Sequence, residues 1–170
     1  MAIQIPPNAA ADSYATEAAA DAYMANRLNA ELWTGATTAV KESALKSATR
    51  RLESEDWKGI KADVLSANSL RFPRSELYNA DGQIESSTTV PLAIQNATAE
   101  LALELIKAAA DESAGTASSP TSEIAVGPIK LKLDTAQTED GSSLVDLSGE
   151  VDTLIAPYRN SSVMGALVRA

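Results

Sequence analysis

The stretch PLAIQNATAELALELIKAAA, residues 91–110, decides the fold of this 170-residue chain. Its apolar residues recur at steps of three and four, the spacing of one face of an α-helix. These residues are Ile94, Ala97, Leu101, Leu105 and Ala108. Pro91 suits the first helical position, because its missing N–H would have no partner there. The pattern predicts a helix from Pro91 to about Ala110.

Two more helices are predicted on the N-terminal side of this stretch. The first spans about 16–32, with Thr16 or Ser13 as its N-cap and Gly35 just beyond its end. Its predicted buried face is Ala20, Tyr23, Met24, Leu28 and Leu32. The second spans about 38–53. Its predicted buried face is Val40, Ala44, Leu45, Ala48 and Leu52.

On the C-terminal side, the spacing of the apolar residues changes from that of a helix to that of a strand. A loop is predicted over 111–122, and apolar and polar residues then alternate over 124–134, which favours two short strands or one bent strand. A last helix is predicted at about 147–156, before Pro157. The sequence therefore predicts a mainly α fold: a bundle of about four helices, a small β-hairpin arm at about 122–134 and an extended C-terminal tail. We expect one helical domain over 1–157 and a tail over 158–170.

Composition excludes several kinds of chemistry. The chain has no Cys and no His, so thiol nucleophiles, cysteine-ligated zinc and imidazole bases are absent. The carboxylates at 53–56 and 111–112 have no phosphate loop or calcium-loop spacing beside them, and we interpret them as solvated. The first residues lack a signal-peptide pattern, and no apolar run is long enough to span a membrane. We expect a soluble, intracellular protein that is not an enzyme and has no cofactor, metal or membrane partner.

The charge of the chain is unevenly distributed. The net charge is −9, yet residues 41–74 carry eight bases and five acids. We call six cations of this segment the basic waist: Arg50, Arg51, Lys58, Lys61, Arg71 and Arg74. With Trp57 and Phe72, they could bind single-stranded nucleic acid by charge and stacking. Alternatively, the two aromatic residues pack in the core and the cations pair with Glu53, Glu55 and Asp56 or with a neighbouring subunit. We favour the second interpretation.

Several short motifs, in this order, resemble the head–tail adaptor proteins of tailed bacteriophages, also called head completion or connector proteins. The resemblance covers most of residues 13–157. Its motifs are SYATEA (13–18), DAY (21–23), Trp33, ATR (48–50), DWKG (56–59), LRFPR (70–74), VPLAI (90–94), AELA (99–102), VGPI (126–129) and VDTLIAP (151–157). Some members of this group carry the label DnaT-like single-stranded-DNA-binding protein.

The resemblance implies a structural virion protein made in the host cytoplasm and located at the head–tail interface. About twelve copies would form a ring beneath the portal protein, extend the DNA channel and dock a tail nozzle, stopper or other tail component. Double-stranded DNA would pass through without sequence-specific binding, which an acidic lumen favours, because few cations grip the phosphates. The alternative is a DnaT-like single-stranded-DNA-binding protein.

Two apolar segments are candidate contact sites for such partners. The arm residues Ile124, Val126, Ile129, Leu131 and Leu133 could cover their own helices or lie against the next subunit, and we favour the intersubunit role. The tail residues Val163, Met164, Leu167 and Val168 could be frayed or could order on the portal. We favour docking, because four large apolar residues in six are unusual for a disordered chain.

Overall fold

The computed structural model describes residues 3–62, 69–113, 123–126, 129–132 and 147–160. These residues form α1 (Glu17–Met24), α2 (Glu31–Thr34), α3 (Thr38–Leu52), β1 (Ile60–Lys61), β2 (Arg74–Ser75), α4 (Leu92–Ser113), β3 (Glu123–Val126), β4 (Ile129–Lys132) and α5 (Gly149–Ile155). The strands form two antiparallel pairs, β1–β2 and β3–β4. The predicted mainly α class is confirmed.

The chain divides into two compact units. The first, which we call the helical body, contains the residues up to Ile106 and those from Leu147 onward. The second, the hairpin unit, lies between Lys107 and Asp146 in the sequence. Among the described residues, no helix combines the length and apolar composition that a membrane-spanning segment needs.

Helix α4 passes through the core of the helical body. Every residue from Ala97 to Leu103 is buried, as expected of a helix with neighbours on all sides. Three predicted core residues are confirmed, whereas Leu105 is half-buried. The prediction is wrong at Ala108, which is exposed because the helical body ends near Ile106. The helix also continues to Ser113, into the predicted loop, since residues 111–113 include neither Gly nor Pro.

The single first helix predicted over 16–32 is wrong. Thr16 caps α1 as expected, with its hydroxyl accepting the Ala19 N–H, but the helix ends at Met24. Asn29 then adopts a left-handed φ of 58°, which a right-handed helix cannot continue through. The break turns Leu28 outward, so that 84% of it is exposed, and Leu32 is exposed as well. Trp33 fixes α2 to α1 by donating its indole N–H to Asp21 at 2.7 Å.

Helix α3 matches its predicted range to within a residue. The Thr37 hydroxyl accepts the Val40 N–H at the N-terminus, and the helix ends at Leu52. Four residues of the predicted face are buried. Val40 is instead exposed, because it lies in the first turn beside its cap.

The C-terminal part of the helical body packs against residues 56–58. Helix α5 begins at its Ser148 cap and buries Val151 and Ile155. Beyond it, Lys58 donates its backbone N–H to Tyr158 at 2.8 Å, and Asn160 donates to Asp56 at 2.8 Å. The described part of the helical body therefore extends to residue 160.

The predicted hairpin is confirmed at the level of the backbone. Strands β3 and β4 are antiparallel, with Ile124 opposite Leu131 and Val126 opposite Ile129. Leu133 and the predicted tail residues Val163, Met164, Leu167 and Val168 lie outside the described residues.

Candidate nucleic-acid interface

The structure brings the basic waist together from three segments. Arg50 and Arg51 lie at the C-terminal end of α3, and the other four cations lie on or beside β1 and β2. The strand register places Lys61 opposite Arg74. The Arg74 guanidinium also donates to the Lys58 carbonyl at 2.7 Å. Lys58, Lys61, Arg71 and Arg74 are therefore neighbours in the fold.

The two aromatic residues of this segment face the core. Trp57 is 3% exposed and Phe72 is fully buried. Their rings meet edge to face at 5.1 Å, and Tyr14 completes the cluster on the other side of Phe72 at 5.4 Å. The Trp57 indole donates to the Leu52 carbonyl. The interpretation that these aromatics pack in the core is confirmed, and they offer no stacking surface to a base.

Arg74 points inward and organises the segment before β1. Its guanidinium donates to the carbonyls of Lys58 and Gly59 at 2.7 Å each and of Trp57 at 3.3 Å. Burial, followed by the nearby Arg71 charge, lowers the pKa of Arg74 from its ordinary value. Gly59 is required here, because its φ is +71° and a Cβ would lie 2.3 Å from the Ser75 carbonyl oxygen. Arg74 is therefore a structural cation.

Arg71 is bound by groups of the same chain. Its backbone N–H donates to the Glu53 carboxylate at 2.8 Å, and its guanidinium donates to the Glu55 carbonyl at 2.9 Å. Burial raises the pKa of Glu53, an effect that the Arg71 N–H and nearby cations only partly offset. Tyr14 also donates its hydroxyl to this carboxylate. The Arg71 guanidinium also lies 4.0 Å from the Glu53 carboxylate, which confirms the predicted pairing of the waist with Glu53 for Arg71.

Two other cations of the basic waist are exposed to solvent. Arg50 makes one hydrogen bond, to the Ser47 hydroxyl at 3.0 Å, and Lys58 donates to the Pro157 carbonyl at 2.9 Å. Arg51 and Lys61 are half-buried. This arrangement can attract phosphate groups but cannot sandwich bases. Within the described parts of the chain, no three Asp or Glu residues are grouped as metal ligands would be.

The sequence did not lead us to an ionic cluster at the C-terminal end of α1. Glu100 is buried on α4, where Tyr23 donates to it at 2.9 Å and Arg27 forms an ion pair with it. Arg27 also pairs with Glu150 on α5. A signal was available, because Glu100 is an acid inside an apolar helix and Arg27 is the single base of residues 1–40.

The comparisons with known proteins gave one match. The sequence model of a family described as "Putative DnaT-like ssDNA binding protein" matches residues 5–170. The searches of curated proteins and of solved structures returned no match.

Proposed function

The chain belongs to this DnaT-like ssDNA binding family, and from that premise we propose that it binds single-stranded DNA by contacting phosphates with the basic waist. The observation that carries the proposal is the position of six cations at the C-terminal end of α3 and on or beside β1 and β2, in a chain whose net charge is −9. Arg50 and Lys58 are the exposed contact residues, while Arg74 holds the segment in shape.

The buried aromatics determine the mode of binding. Because Trp57 and Phe72 are inaccessible, the affinity comes from charge rather than from base stacking. Binding of this kind is tolerant of sequence and falls with salt, with a logarithmic slope of about −0.7 for each phosphate contacted on a single strand. The overall negative charge confines the DNA strand to the basic waist, because the rest of the surface repels its phosphates.

The test is a titration of a fluorescent oligothymidylate, followed by anisotropy, at several salt concentrations. Lys58→Ala should weaken binding roughly two- to fivefold and make the salt dependence shallower by about 0.7. The matched control is Lys107→Ala, which removes the same charge far from the waist in sequence. Equal losses in the two variants, or no binding by the parent protein, would contradict the proposal.

We propose a second candidate function, a subunit of a phage head–tail adaptor ring, as the sequence resemblance implies. The candidate contacts of such a ring are the large apolar residues of the helical body that are more than half exposed: Leu28, Ile60, Tyr78, Ile84 and Leu92. The partners would be further copies, a portal protein and a tail component, at the head–tail interface of a virion.

Electron microscopy of the protein mixed with portal, beside the protein alone, tests this second candidate. An added ring on the narrow end of the portal is the expected result. Deletion of 161–170 should leave the far-ultraviolet circular dichroism unchanged and weaken portal binding, if the tail docks as the sequence suggests. A portal without added density would remove the adaptor candidate and leave the DNA-binding one.

A further inference from the structure

A cleft lies beside the basic waist, on a face of α3 that the sequence analysis did not single out. Its volume is about 350 Å³, and it is lined by Ala11, Asp12, Lys46, Thr49, Arg50 and Leu70. Ligand pockets in proteins begin at roughly 300 Å³, so the cleft has room for one small group. Three parts of the chain form it: the segment before α1, helix α3 and the segment before β2.

The lining combines apolar and cationic groups. Ala11 is buried, and Leu70 is half-buried and packs on the hydrophobic core. Ser69 fixes this wall to the N-terminal segment by donating its hydroxyl to the Ala11 carbonyl at 3.0 Å. The Thr49 hydroxyl is buried and accepts the Tyr14 N–H. A flat apolar group can therefore lie against the half-buried Leu70, beside a Thr49 hydroxyl and an Ala11 carbonyl that already have hydrogen-bond partners.

Arg50 and Lys46 lie one helical turn apart, so their side chains lie on the same face of α3. The Lys46 ammonium forms an ion pair with Asp12 at 2.8 Å, and Asp12 also accepts the Gln4 N–H at 2.9 Å. Burial acts to raise the pKa of Asp12, but these partners outweigh it and the pKa is lowered. Because the carboxylate stays ionised, the two cations and one anion leave a net charge of +1 beside the apolar wall.

We propose that this cleft receives one nucleotide of single-stranded DNA. The base lies against the half-buried Leu70 side chain, and the adjoining phosphate contacts the Arg50 guanidinium, whose planar fork matches phosphate oxygens, with Lys46 beside it. This inference rests on the proposed DNA-binding function and adds to it a defined position for one base. It also gives this chain an apolar base contact that the buried Trp57 and Phe72 cannot supply.

The test compares Arg50→Ala with Arg51→Ala in the oligothymidylate titration. The two variants remove the same charge from adjacent positions of α3, but Arg51 does not line the cleft. The expected result is a roughly two- to fivefold greater loss of affinity for Arg50→Ala. Arg50 is exposed, so the fold should be unchanged, which circular dichroism checks.

A second measurement locates the strand directly. Backbone amide shifts of the ¹⁵N-labelled parent protein should move at Asp12, Thr49 and Leu70 when an oligothymidylate is added. Suppose that the parent binds, the two arginine variants lose affinity equally and these amide shifts do not change. The cleft proposal is then overturned, while the waist proposal stands. If the parent does not bind the oligonucleotide, both proposals are overturned.

Discussion

Two charged side chains of the helical body, Arg74 and Glu100, have different kinds of hydrogen-bond partner. Arg74 donates to the carbonyls of Trp57, Lys58 and Gly59, all within 17 residues of it in the sequence. Glu100 contacts the side chains of Tyr23 and Arg27, which are more than 70 residues away. The first arrangement shapes one segment, whereas the second connects separate helices.

This difference indicates how much of the helical body should be destabilised when each contact is removed. The Arg27 guanidinium lies between Glu100 on α4 and Glu150 on α5, so it connects these two helices with the segment that follows α1. One carboxylate oxygen of Glu100, Oε2, is buried and has no hydrogen-bond partner among the described residues. Its charge is thus already incompletely satisfied, and the ion pair with Arg27 is what keeps it tolerable in the core.

The largest effect is expected from Arg27→Ala, which leaves the buried Glu100 carboxylate without its cation. Removing one partner of a buried pair costs about 3–5 kcal/mol of the free energy of unfolding, and we expect the lower end because Arg27 is partly exposed. Urea denaturation measures it. Adding Glu100→Gln to this variant should restore part of the loss. A change below about 1 kcal/mol would show that the two ionic arrangements do not differ as described.

A smaller and more local effect is expected from Arg74→Ala. The variant removes the donor for four carbonyls, which costs about 1–3 kcal/mol because these groups are partly desolvated. Hydrogen exchange should accelerate around residues 57–61 and 74–75 and remain slow in α4. Arg71→Ala, in the same segment but at an exposed position, is the control and should cost less. Uniform acceleration across the helical body would contradict a local role for Arg74.

The smallest effect concerns Glu53, whose pKa is raised above its ordinary value of 4.5. The folded protein therefore binds the carboxyl proton of Glu53 more tightly than the unfolded chain does. The stability from this group is therefore fully present below the unfolded pKa and is lost as the pH rises through the folded pKa. Glu53→Gln should flatten the fall in the free energy of unfolding above pH 4.5, measured by denaturation at several pH values.

The control for this prediction is Glu76→Gln, which changes an exposed carboxylate. Its pH profile should follow that of the parent protein. If Glu53→Gln also leaves the profile unchanged, burial does not govern the titration of Glu53, and the waist carries no pH dependence from this residue.

Periodicity predicted the elements whose apolar residues are regularly spaced in the sequence. Helices α3 and α4 and the β3–β4 hairpin follow directly from the spacing of their apolar residues. The break between α1 and α2 could not be found in this way. Leu28 and Leu32 continue the helical spacing, yet α1 ends at Met24 and Asn29 adopts a left-handed φ of 58°, which the spacing of apolar residues does not reveal.

The candidate site was predicted in part. Composition located the cations of the basic waist, because charge density is visible along the sequence. The direction of each side chain was not visible. Arg74 and Arg50 are the same residue type in the same charged segment, yet one faces backbone carbonyls and the other faces solvent. The cleft depends on Asp12 and Leu70, which are 58 positions apart and meet only through the tertiary fold.

The pairing of residues 56–58 with 158–160 has a consequence for biosynthesis. The ribosome makes the chain from the N-terminus, so α3, β1 and β2 are complete long before Tyr158 and Asn160 exist to bond with Lys58 and Asp56. These contacts span about a hundred residues, and contacts of such long sequence separation slow folding. Until translation passes residue 160, the backbone of Trp57 lacks Arg159, its partner in an antiparallel β-bridge. These contacts of the helical body therefore form only after residue 160 has been made.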